Sequence, residues 1–180
     1  MRTTALAAAA ALALALTGCA GGPSPSPEPE PQPGTSAPEP QAPAGGPCDY
    51  ATAEQQQQLF GTDLGRATQR DASTVTVQGV TWHPITCVWD VDDLEVEVAV
   101  ADAAAFETGT LTCMEPLGIG KDVQPVGGVG DQAWWEEEDE DEGMLRACSE
   151  THVVDVDVDG DDIDARTAAI EFAQLVLATL

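Results

Sequence analysis

From Asp155 to Asp164 the chain reads Asp-Val-Asp-Val-Asp-Gly-Asp-Asp-Ile-Asp, and this spacing matches the D-x-D-x-D-G opening of a calcium loop. Oxygen ligands fall at alternate positions, and the glycine permits the sharp turn between them. The match stops at the twelfth position, where Arg166 replaces the bidentate glutamate that should close the site. The intervening valines fit equally a strand whose aspartates face water. No dedicated metal site is therefore expected; Asp159, Asp161, Asp162 and Asp164 remain as weak candidates for calcium. A second fragment, Gly118-Ile119-Gly120-Lys121-Asp122, has the end of a phosphate-binding loop, but Glu115 stands in place of the first glycine and Asp122 in place of the magnesium-binding hydroxyl. ATP is not expected as a partner. His83 lies between Trp82 and Pro84, and His152 follows Ser149 and Glu150, yet no spacing pairs either with an activated nucleophile and an orienting group. With 32 acidic residues, carboxylate pairs resembling those of a glycosidase arise by coincidence. The expectation is no catalytic residues and no enzyme. The adjacent Trp134 and Trp135 are of more interest, because neighbours on a strand face opposite ways. One facing outward could stack on a sugar or hold a cationic group, so both are candidate ligand contacts. Trp82 and Trp89 are expected in the core.

The elements that must position these residues alternate between two periodicities. Thr52-Ala53-Glu54-Gln55 is a capping box that starts a short helix ending at Gly61. Period-two patterning predicts strands at 74–77, 87–91 and 94–100, the last with Leu94, Val96, Val98 and Val100 on one face. A short Ala-rich helix is expected around 102–107. Further strands are expected at 132–136, 144–149 and 152–158. The seven consecutive acids from Glu136 to Glu142 self-repel and predict a solvated hairpin tip. From Asp164 onward, Ala169, Ile170, Ala173, Val176, Leu177 and Leu180 recur at helical spacing. One apolar helix face and several one-sided strands require each other. The fold class is therefore α+β: a single antiparallel sheet of about five to seven strands, with N-terminal and C-terminal helices packed on it.

Cysteines and flanking segments set the expected compartment. Arg2, an apolar run from Ala5 to Leu16, and Leu16-Thr17-Gly18-Cys19 follow in the order of an export signal. The tetrapeptide resembles the cleavage site of bacterial lipoproteins, which implies a signal peptide at 1–18 and a diacylglyceryl lipid on Cys19, with an acylated amine. Two chains suffice for stable membrane anchoring. Residues 20–47 hold ten of the thirteen prolines and read as a linker, able to extend at most roughly 87 Å at ~3.1 Å per residue. The domain then occupies 48–180. It contains Cys48, Cys87, Cys113 and Cys148, an even set once Cys19 carries lipid, in a compartment that tolerates disulfides. Three pairings exist. Cys48 with Cys87 and Cys113 with Cys148 is preferred, each closing a loop worth roughly 4 kcal/mol by chain entropy.

Pro47-Cys48, the capped helix ending in Leu-Phe-Gly, the Cys87-Val88-Trp89 strand, and Gly128-Val129-Gly130-Asp131-Gln132-Ala133-Trp134 occur in that order, followed by two strands and a C-terminal helix. The arrangement resembles an actinobacterial, high-GC Gram-positive lipoprotein family built on a domain of unknown function with a Cys-x-Trp signature. The resemblance implies a secreted, lipid-anchored α+β domain with a bridge from Cys48 to Cys87, and it carries no catalytic residues. At fold level alone, the chain is also similar to Mog1/PsbP-like domains.

Charge narrows the partners. The chain carries a net charge of -26, with one lysine, Lys121, and no asparagine. Such a surface repels nucleic-acid phosphates and anionic headgroups, so nucleic acid is excluded. The expectation is a non-catalytic recognition module on the outer face of the cell membrane. It would meet an envelope protein, a wall polymer or a small ligand. The competing expectation is an acidic ion-binding or shielding protein.

Overall fold

A computed structural model describes residues 46–70, 73–139 and 141–180; the expected signal peptide, Cys19 and nearly all of the linker lie outside them. Within the described residues the chain order is α1 (Ala53–Phe60), β1 (Thr68–Arg70), β2 (Val75–Val77), β3 (Val80–Trp82), β4 (Ile85–Val91), β5 (Leu94–Asp102), β6 (Asp122–Pro125), β7 (Gln132–Asp139), β8 (Glu142–Cys148), β9 (His152–Gly160) and α2 (Ala165–Thr179). Seven strands form one antiparallel sheet in the order β1-β4-β5-β9-β8-β7-β6, and β2 pairs with β3 as a separate hairpin. The fold class is α+β, as the patterning implies.

Local chemistry starts and stops the helices. In α1 the Thr52 side chain accepts from the Gln55 backbone N–H while the Gln55 side chain accepts from the Thr52 N–H, and Gly61 closes the helix at φ 72°, a left-handed conformation that glycine adopts without strain. Asp164 caps α2 by accepting from the Thr167 N–H at 3.0 Å and the Thr167 hydroxyl at 2.8 Å. The backbone bond, then the hydroxyl, holds its carboxyl below the usual range. The buried stripe of α2 is Ala165, Ala168, Ala169, Phe172, Ala173 and Val176. Four alanines let the helix approach the sheet closely, and Phe172 fills the remaining space against Phe60 at 5.3 Å and Trp89 at 5.6 Å, edge to face in both pairs. Val96, Val98, Leu145, Val154, Val156 and Val158 complete this core from the central strands.

Two corrections concern helical and acidic segments. The Ala-rich helix around 102–107 is only a 3-10 turn, Ala103–Ala105, with Asp102 accepting from the N–H groups of Ala104 and Ala105. Phe106 leaves the turn because it stacks on Trp82 at 5.6 Å, so side-chain packing overrides alanine's helix propensity. The acidic run does hold the turn of a hairpin, as expected, but the ladder reaches further into it than the expected strands. Glu136 through Asp139 extend β7, and Glu142 begins β8; ladder pairing and the cation Lys121, on Glu136 at 3.8 Å and also on Glu138, offset the repulsion. Strands β1, β3 and β6 were not signalled by the sequence, each being three or four residues long.

Two disulfides pin the periphery. Cys48 bonds Cys87 and Cys113 bonds Cys148, the preferred pairing. The first ties the segment before α1 to β4, beside a buried Tyr50 whose hydroxyl lies 3.9 Å from the Cys87 sulfur. Burial pushes that phenol up to about 12. The second ties the irregular stretch after Phe106 to β8. Among the described residues no helix is long and apolar enough to cross a membrane.

Candidate functional site

Alternation on the sheet separates two chemistries. Cys87, Trp89, Val96, Val98, Leu145, Val154, Val156 and Val158 point toward the helices, and every intervening residue points away from them. The outward face is graded along the strand direction. At one end, Ala101, Val153 and Cys148 form a second core with Trp82 and Phe106, against which Val75, Val77, Val80, Cys113 and Trp134 pack. The β2–β3 hairpin and the stretch after Phe106 thus cover this end.

Three rows follow as that cover runs out. The first is Thr86, Ala99, Asp155, Arg146 and Trp134, side by side across β4, β5, β9, β8 and β7. Arg146 is 5% exposed and forks onto Asp155 through Nε and Nη2, both at 2.7 Å. Its Nη1 donates to the Met114 carbonyl at 3.4 Å, and its guanidinium lies 5.4 Å from the Trp82 ring centroid. Burial opposes its charge, but the hydrogen bond and attraction of Asp155, with Glu136 beyond, outweigh this and raise its pKa. The second row is Val88, Glu97, Asp157, Met144 and Glu136. The third, Asp90, Glu95, Asp159 and Glu142, is entirely acidic, although like charges directly opposite each other weaken a ladder.

Three of the five described Lys and Arg side chains stand around this face. Arg70 on edge strand β1 meets Glu97 at 2.9 Å, Lys121 holds Glu136 and Glu138, and Arg146 holds Asp155. Asp157, between them, makes no ion pair with a described residue. Its carboxyl is pushed up to about 6, first by burial, then by Glu97, Glu142 and Asp159, with Lys121 pulling the other way.

Where the hairpin cover ends, a cavity of about 220 Å³ opens between β2 and the sheet. Its wall is formed by Val75, Pro84, Thr86, Ala99, Met144 and Asp157 together with Glu97 and the Arg146–Asp155 pair. Apolar walls with a few converging polar groups, one of shifted pKa, are the usual composition of a binding site.

The residues singled out from sequence fare differently. Trp134 and Trp135 do face opposite ways, but neither is an exposed ligand platform. Trp135 is 2% exposed and packs in the helix-side core, its indole N–H without a partner among the described residues; Trp134 is half-buried against the second core. Packing claims both rings, since covering elements lie on each side of β7. Trp82 and Trp89 are both core residues. Asp161, Asp162 and Asp164 meet Asp92 and Asp93 of the β4–β5 turn around an open cleft of about 500 Å³, whereas Asp159 lies on the sheet face. Asp164 is committed to capping α2. Among the described residues, no group of three or more His, Cys, Asp or Glu is arranged to hold a metal ion.

His83 is exposed, its Nδ1 3.4 Å from the Thr74 hydroxyl and its Nε2 3.9 Å from Glu107. His152 bonds its neighbour Thr151 at 3.0 Å within the β8–β9 turn. The fragment 118–122 forms a surface turn leading into β6, with Ile119 82% exposed. Sequence reasoning missed Asp157, Thr86 and Met144 as a group. The Asp155-Val156-Asp157-Val158-Asp159 alternation signals an outward acidic face, but only the register shows which aspartate lacks a cation.

Comparison with protein-family models, curated proteins and solved structures found no match to this chain.

Proposed function

We propose that this chain is a lipid-anchored, extracytoplasmic recognition module, non-catalytic, that holds its acidic sheet face toward an envelope partner or small ligand. The observation carrying this reading is the graded face. One side of the sheet is sealed by two helices, while the other passes from an apolar covered end to a bare row of four carboxylates. A surface kept bare at the cost of like-charge repulsion suits a partner that is cationic or neutral, and disfavours nucleic acid and anionic lipid. The lipoprotein-like Leu16-Thr17-Gly18-Cys19 supports the anchor through diacylglyceryl on Cys19. Two disulfides support an oxidising compartment.

Photocross-linking on intact cells tests the recognition reading. A benzophenone amino acid at Glu95, on the bare face, should capture a discrete envelope component that the same probe at Gln58 on α1 does not. Equal, diffuse labelling from both positions removes the reading. Mass spectrometry of the purified protein tests the anchor: a diacylated N-terminal Cys19 is expected, and an intact 1–18 segment with reduced cysteines refutes it.

A further inference from the structure

The cavity beneath the end of the β2–β3 hairpin differs from the open rows beside it. It is more enclosed than the cleft at 161–164, and apolar side chains form much of its wall. Two of its polar groups are unspent. Thr86 is 3% exposed, sits on the cavity side of β4, and its hydroxyl makes no hydrogen bond with another described residue. Asp157 lines the same cavity from β9, two strands away and one row along, and makes no ion pair with a described residue. By contrast, Glu97 is engaged by Arg70 and Asp155 by Arg146. The pocket thus holds one uncompensated carboxylate beside an apolar wall, with the Thr86 hydroxyl on its far side.

We propose that this cavity binds a single primary alkylammonium group, the end of a lysine side chain or of a small amine. The ammonium sits on Asp157, and the methylene stem lies against Met144, Ala99, Val75 and Pro84. Its N–H donors match the acceptors of the carboxylate, and an apolar stem removed from water adds what an exposed ion pair lacks. Arg146 shows the same solution within the chain: a cation fixed by a carboxylate, over an apolar ring, on the adjacent row. Ionised Asp157 is disfavoured by burial and by Glu97, Glu142 and Asp159, with Lys121 the one nearby cation acting on it. A bound ammonium relieves that penalty, so the site favours a cation over an anion or a neutral sugar. The inference deepens the recognition reading and rests on it, but is independent of the lipid anchor.

Titration of the folded, oxidised domain with n-butylammonium, followed by backbone amide resonances, tests the proposal. Saturable shifts at Thr86, Met144 and Asp157 are expected at roughly 1–10 mM. Tetramethylammonium, with the same charge and no N–H, should not produce them. A Gly-Gly-Lys-Gly-Gly peptide in the second arm distinguishes sources: tighter binding than butylammonium points to a protein lysine, weaker binding to a free amine. Asp157→Asn should weaken binding at least tenfold, whereas Glu95→Gln, on the bare row, should leave it unchanged. Without any variant, affinity should fall about tenfold between pH 7 and pH 5 as Asp157 takes its proton. Shifts that follow total salt, or an equal loss in both variants, assign the effect to diffuse charge and overturn the site. Absence of saturable binding also overturns it, and leaves the Glu95 cross-linking test of the recognition reading standing.

Discussion

Asp157 concentrates the electrostatic cost of the outward face in one side chain. Its native pKa of about 6 lies above the ordinary 3.8, so the folded state binds an extra proton between those values. Stability from this group is therefore present in acid and is lost as pH rises through about 4 to 6. Asp157→Asn, which keeps size and removes the charge, should match the parent near pH 4. At neutral pH it should be more stable by up to about 3 kcal/mol, read from urea unfolding at both pH values. Equal stability at neutral pH would show that solvent already relieves the carboxylate. The alternation of aspartate and valine in β9 made the outward placement of this residue legible. Its isolation was not, because Arg70, Lys121 and Arg146 reach their carboxylates from other strands, β1, the segment before β6 and β8, so the register decides which carboxylate each one meets.

At the scale of elements, the covering pieces depend on covalent ties more than on regular structure. The stretch from Phe106 to β6 has no helix or strand and is held by the Phe106–Trp82 stack, the Met114 carbonyl on Arg146, and Cys113. Replacing Cys113 and Cys148 by alanine should cost about 2–4 kcal/mol. The loss should appear locally in hydrogen exchange: amides of the β2–β3 hairpin and of 106–121 should open before those of β5, β8 and β9. Uniform loss of protection would show instead that this bond staples the whole sheet. The long strands and both helices were legible because each carries a complete period of apolar residues or an explicit cap. Strands β1, β3 and β6 were not: three or four residues, as in β2, hold at most one period, and these strands exist because a neighbour offers an edge. The 3-10 turn at Ala103–Ala105 has the same origin, with Trp82 deciding where Phe106 must go.

Across the whole molecule, unbalanced negative charge works against compactness. The chain carries -26, and its described ion pairs are few, so folding compresses a large excess of like charge. Sodium chloride should raise the melting temperature steeply up to about 0.15 M, where the Debye length has fallen to roughly 8 Å, and little thereafter. A flat response would mean that the outward carboxylates are already neutralised in pairs. The amino-acid sequence alone determined the fold class, where the two capped α-helices begin and the acidic character, because these depend on local periodicity, capping and composition. It narrowed the disulfides to three pairings and favoured the one that forms. Only the tertiary structure decided that Trp134 and Trp135 are packed, that the acidic run belongs to two strands, and that Asp157 stands uncompensated beside an apolar cavity. Those outcomes depend on lateral register and on which side of the sheet each covering element takes, and strand register is fixed by contacts between residues distant in the chain.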